Sequence, residues 1–123
     1  MNPDIKLHLR GAHRGAALAI GPGKIALLEA IAQTGSISAA AKTLAMSYRR
    51  AWDLVDETNR CLARPAVSTA SGGAHGGGTT LTPTGHELVR RYRRLERQTA
   101  AAAAKEFAAL LRSVPARSGT GKT

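Results

Sequence analysis

Aromatic side chains are nearly missing from this chain of 123 residues, which has one Phe, one Trp and two Tyr. A core must therefore be assembled from Ala, Leu, Ile and Val, and small residues of that kind fit helices that cross at short distance. There is a single cysteine, Cys61. That excludes an intrachain disulfide and leaves no cysteine-based zinc site. Acidic residues are few, 8 against 18 Lys and Arg. The histidines His8, His13, His75 and His86 are scattered, and no paired carboxylates or metal-ligand spacing accompany them. No enzyme, metal or cofactor is expected on these grounds. Long apolar runs are absent as well, so no segment is expected to span a bilayer. Asn2-Pro3-Asp4 does not open a secretory leader, so a cytoplasmic protein is expected.

What is present is positive charge, +10 at pH 7. An excess of that size points to a polyanionic partner, nucleic acid first. The stretch from Gly35 to Trp52 then reads as two short helices joined by a tight turn. Ile37, Ala40, Ala41 and Leu44 follow the i, i+3, i+4, i+7 rule, Ala45-Met46 makes the turn, and Ser47 is placed to cap the next helix. In that helix Ala51, Leu54, Val55 and Thr58 form the inward stripe. Arg49, Asp53 and Asp56 lie opposite, with Arg50 and Trp52 at the edges. Two arginines on the first turn of the second helix make the pattern of a helix-turn-helix that reads double-stranded DNA. Ser47, Tyr48, Arg49, Arg50 and Trp52 are the candidate DNA-binding residues, with Arg49 first for a bidentate contact to guanine. Asp53 is Arg49's i+4 partner, and the two aspartates confine deep contact to the first turn.

The flanks fit the same picture. Ile5 to Arg10 alternates as a half-buried strand broken at Gly11, and Ala16 to Ile20 can return as the second strand of a short hairpin. Gly21-Pro22-Gly23 stops the chain and starts a helix over Lys24 to Thr34, with Ile25, Leu28, Ile31 and Ala32 on one face, Leu27 beside them, and Gly35 ending it. Ser36 or Ser38 caps the helix that follows. The third helix should end near Cys61 or Leu62, before Pro65. Ala66 to Thr69 and Thr79 to Thr82 read as two strands around a glycine-rich tip, Ser71 to Gly78, which is a wing. This wing holds no Lys or Arg between Ser68 and Thr82, only His75. A plain loop and a backbone contact through glycine N–H groups are both open for it. Pro83 opens a long helix to about Arg112. Leu88, Tyr92, Leu95, Thr99 and Ala102 step by four and three, and Phe107, Leu110 and Leu111 continue the stripe, as in a coiled-coil seam. Leu88, Tyr92, Leu95, Phe107, Leu110 and Leu111 are therefore candidate dimerisation residues. Arg90, Arg91, Arg93, Arg94 and Arg97 around that seam read as a solvated face with ion pairs such as Arg93 with Glu96. Residues 116–123 meet a loose phosphate-loop pattern, but the mechanism needs a strand before the loop and a helix after it, neither of which is expected here, so the match is read as chance.

The expected architecture is mainly α with small β. Residues 1–82 form a winged helix-turn-helix with a short N-terminal hairpin, 83–112 a long C-terminal dimerisation helix, and 113–123 a disordered tail. Gly21 to Ile31, Thr34 to Ala41, Met46 to Trp52 and Leu81-Thr82-Pro83-Thr84-Gly85 together resemble the N-terminal domain of the ModE family of molybdate-responsive regulators, over about residues 5–97. The helix before the Tyr48-Arg49-Arg50-Ala51-Trp52 run is shared with LysR-type regulators. The resemblance implies a homodimer on a two-fold symmetric operator and a link to molybdenum metabolism. Family members sense molybdate through a C-terminal β-rich domain, and this chain ends where that domain would begin, so molybdate is not expected to bind it directly. The acidic residues on the third helix and the uncharged wing also fit another reading, a protein-interaction module that keeps the winged-helix shape and binds a partner regulator.

Overall fold

The computed structural model describes residues 3–70 and 78–116. Its elements run β1 (Leu9–His13), β2 (Ala16–Ile20), α1 (Pro22–Thr34), α2 (Ile37–Thr43), α3 (Tyr48–Arg60), β3 (Val67–Ala70), β4 (Gly78–Leu81) and α4 (Pro83–Arg112). The wing tip with His75 and the end of the phosphate-loop-like stretch lie outside the described residues. The fold is that of a winged helix-turn-helix followed by a long helix, mainly helical with two small hairpins.

The first hairpin departs from the alternation in the sequence. Its strand does not stop at Gly11 but runs through it, pairing Leu9 with Ile20 and His13 with Ala16. The turn fixes this register. Arg14 and Gly15 sit at φ 53° and 83°, and two successive left-handed residues make the type I′ turn that suits the twist of an antiparallel pair.

Helix α1 starts on Pro22, and Gly35 closes it at φ 71° with its N–H donating to the Ile31 carbonyl. Its Ile25, Leu27, Leu28 and Ile31 are at the centre of the core. Ala32, expected on the same face, is exposed. Helix α2 begins at the Ser36 cap, whose hydroxyl accepts from Ala39 N at 3.1 Å. Ala40, Ala41 and Ala51 are fully or almost fully buried, so the backbones of α2 and α3 approach closely with no side chain to separate them.

At the far end of α3, the Asn59 side chain accepts from Ala66 N at 2.8 Å and Val67 N at 3.1 Å and donates to the Val67 carbonyl. This clamp fixes β3 to the helix. Strands β3 and β4 pair antiparallel from Val67–Leu81 to Ala70–Gly78, and Thr79 N donates to the Gly35 carbonyl. Thr82 then caps α4, accepting from Gly85 N at 3.1 Å while donating to the Pro65 carbonyl at 2.6 Å. Gly85 is buried against the same loop, and a Cβ there would overlap the Ala66 carbonyl oxygen.

Two compact units result. The first, Lys6–Arg93, contains the core, and it extends past the start of α4 because Leu88, Val89 and Tyr92 pack into it. Tyr92 is 2% exposed and its hydroxyl donates to the Leu7 carbonyl at 2.6 Å. Two seam candidates therefore change place. Tyr92 belongs to this chain's own core, and Leu88 packs against that core. The second unit, Met1–Ile5 with Arg94–Thr123, holds in its described part the remainder of α4 and a closing turn in which Ser113 and Val114 donate to the Leu110 and Leu111 carbonyls. Most of the expected tail, residues 117–123, lies outside the described residues.

Candidate nucleic-acid interface

The turn between α2 and α3 sets the direction of α3. Met46 N donates to the Ala41 carbonyl at 3.0 Å and Ala45 N to the Lys42 carbonyl at 3.2 Å. This pair of bonds is a Schellman closure, which needs a left-handed residue at its centre. That residue is Ala45, at φ 55°. Ser47 follows as the N-cap of α3, its hydroxyl accepting from Arg50 N at 3.0 Å.

With Ala51, Leu54, Val55 and Thr58 buried, the opposite face of α3 is committed to solvent. The Arg49 side chain is 90% exposed and stands 3.9 Å from Asp53, too loose and too solvated a pair to hold the guanidinium in place. Asp56 pairs with Arg60 at 3.4 Å, so each acidic residue of this face has an arginine one turn away. Tyr48 and Trp52 are 55% and 37% exposed and meet edge to face, ring centres 6.3 Å apart. Ser47 and Arg50 are exposed beside them. All five residues singled out from the sequence therefore lie together on the exposed beginning of α3. They offer a guanidinium pair, a phenol, an indole and a hydroxyl, a set suited to phosphates and base edges.

Sequence reasoning overlooked the flank of this surface. A cleft of about 420 Å³ opens between the first hairpin and α3, lined by His8, Arg10, Lys24, Arg50, Leu54 and Glu57 among others. Lys24 is buried. Its ammonium donates to the Ala19 carbonyl at 2.7 Å and pairs with Glu57 at 2.8 Å. The bond and charge of Lys24 hold the Glu57 carboxyl below its ordinary pKa, with Arg50 and Arg60 adding to the effect. No periodicity pairs a lysine in α1 with a glutamate in α3, so only the assembled fold shows the link.

The arginines of α4 divide. Arg90 and Arg91 both pair with Glu87. Arg93 reaches Glu29 of α1, a partner that spacing along α4 does not indicate, with Nε at 3.0 Å and Nη2 at 2.5 Å from the two carboxylate oxygens. Arg93 also stacks over the Tyr92 ring at 5.8 Å. Arg94 and Arg97 are exposed. Among the described residues, no group of His, Cys, Asp and Glu could hold a metal ion, and no helix is long and apolar enough to cross a membrane.

A winged helix-turn-helix with arginines exposed on the first turn of its third helix is the class that this fold and surface define. The chain is homologous, over roughly 60% of its length, to the N-terminal region of ModE regulators and of the proteins MopA and MopB. It is 49% identical over 77 residues to the molybdenum-pterin-binding protein MopB of Rhodobacter capsulatus, covering 63% of this chain and 28% of that protein. It is 43% identical over 81 residues to the transcriptional regulator ModE of Haemophilus influenzae, 66% of this chain and 32% of the relative. It is 44% identical over 71 residues to the DNA-binding transcriptional dual regulator ModE of Escherichia coli, 58% of this chain and 27% of the relative. The chain thus spans about a third or less of the length of these relatives. No protein-family model matches it. Two of these three relatives are named as transcriptional regulators and one as a molybdenum-pterin-binding protein.

Proposed function

We infer that this chain is a transcriptional regulator that binds double-stranded DNA in sequence-specific fashion as a homodimer, in the cytoplasm, at genes connected with molybdenum. The observation that carries the reading is the exposed first turn of α3, where Arg49 and Arg50 follow the Ser47 cap while the other face of the helix is buried in the core. In that arrangement α3 enters the major groove by its N-terminal end. Arg49 reads a guanine, Arg50 a base or a phosphate, and Tyr48 and Trp52 a phosphate or a thymine methyl. Ser47 fixes the turn from which they project. The likeness to a DNA-binding transcriptional regulator and to a molybdenum-pterin-binding protein supports the class and the connection with molybdenum. Two-fold pairing through α4 would set two copies of α3 about 34 Å apart along one face of the duplex. Leu95, Leu110 and Leu111 are exposed on α4, Phe107 is half-buried, and these four form the seam once Leu88 and Tyr92 are assigned to the core.

The test is a gel shift with DNA from upstream of the gene that encodes the chain, in competition with random duplex. The expected result is a saturable shift that prefers the upstream DNA, with a preference that Arg49→Ala reduces by about 1–3 kcal/mol, the range for one bidentate base contact. Equal affinity for both duplexes, untouched by Arg49→Ala, would overturn base reading.

A further inference from the structure

Winged-helix proteins commonly hold the phosphate backbone with a basic wing, and the wing of this chain has no lysine or arginine from Ser68 to Thr82. We propose that the first hairpin takes that role, with Arg10 and Arg14 contacting DNA phosphates beside the recognition helix; this deepens, and rests on, the DNA-binding reading above.

Three observations support it. The segment from Ile5 to Gly23 carries Lys6, Arg10 and Arg14 and no acidic residue. All three cations are exposed, and none makes an ion pair among the described residues. They are cations without an internal task. The hairpin also stands next to α3, since His8 and Arg10 share a cleft with Arg50, the second arginine of the recognition helix. The one carboxylate in that cleft, Glu57, is already paired with buried Lys24. Finally, the arm is held in place. The His8 ring lies so close to Gly21 that a Cβ there would come within 2.8 Å of Nδ1, Tyr92 donates to Leu7, and Ile20 is buried in the core. A cationic hairpin anchored at its base, with Arg10 beside Arg50 and Arg14 at the exposed turn, matches a phosphate strand flanking the major groove.

Phosphate contacts release counterions and carry no sequence information, which gives them a distinct signature. The decisive variant combines Arg10→Gln with Arg14→Asn. The second change creates the Asn-Gly pair that type I′ turns favour, so the hairpin should keep or gain stability while losing two charges. Binding is measured on the full chain across a series of salt concentrations, with two probes, a random-sequence duplex and a duplex from the chain's own upstream region.

The expected result is an affinity about five- to tenfold lower on both probes alike and a slope of log K against log salt that is shallower by about 1–2, with no fall in melting temperature. Arg10→Lys with Arg14→Lys, which keeps the charge, should restore the slope. A parent chain that binds while the double variant shows the same affinity and slope would overturn the hairpin contact and leave the DNA reading standing. A loss confined to the upstream probe would also overturn it, because it would mean base reading. If the parent binds neither probe at any salt, the DNA reading fails and this proposal falls with it.

Discussion

Ala45 and Lys24 are two residues whose backbone or side-chain state is unusual enough to predict from. Ala45 holds the left-handed position at the centre of the helix-turn-helix turn, where any Cβ is strained by roughly 1–2 kcal/mol. Ala45→Gly should therefore raise the stability of the domain, by about 1 kcal/mol after the added freedom of the unfolded chain is set against the strain. A rise in denaturant midpoint without a change in slope is the measurement. Lys24 gives a pH dependence. Because Lys24 lowers the Glu57 pKa in the folded state, the unfolded chain takes up a proton at Glu57 first as pH falls. The stabilisation is complete above the ordinary carboxylate range and is lost as the pH drops through that range to the depressed folded value. Lys24→Met should flatten the acid limb of the melting temperature against pH, and an unchanged acid limb would remove Lys24–Glu57 from the account. Glu57 is half exposed, so solvent screening keeps the effect modest.

At the scale of elements, the joints between helices and strands hold α3 in place. Asn59 satisfies three backbone groups of the loop into β3. Asn59→Ala leaves two of those amides without their acceptor and should cost about 1–3 kcal/mol in chemical unfolding. Gly85 is the corresponding joint for α4. Gly85→Ala drives a methyl into the Ala66 carbonyl, and because backbone cannot swing aside as a side chain can, a loss of about 1–3 kcal/mol is expected. The cap at Ser47 and the helix end at Gly35 were legible from the sequence because a cap is a relation between residues three or four apart, while the choice of Ser36 over Ser38 came from the structure. The start of α4 at Pro83 was legible for the same reason. The extent of β1 was not, since the left-handed pair Arg14-Gly15 sets its register, and an arginine there gives no turn signal of its own.

The whole molecule joins a compact unit to a long helix that contributes to both units. Dimerisation is the property to measure at this scale. If Leu110 and Leu111 lie in a seam, replacing both with lysine should turn a sedimenting dimer into a monomer while the melting of the Lys6–Arg93 unit persists. A dimer that survives the double replacement would take the seam away from this part of α4. Heptad spacing alone could not separate the two fates of α4, because a residue stepping by four and three is buried equally well by a partner helix or by the chain's own core. Tyr92, with its hydroxyl on the Leu7 carbonyl, belongs to the core.

The sequence by itself determined the order of elements, the inward stripe of α3 and the solvent-facing position of Arg49, because helix period, capping and glycine closure act between near neighbours in the chain. Only the tertiary structure decided that Lys24 meets Glu57, that Arg93 meets Glu29, that Tyr92 is core, and that the basic hairpin stands beside Arg50. Those are contacts between elements far apart in sequence, fixed by how the faces pack, and local pattern does not encode which distant face each one meets.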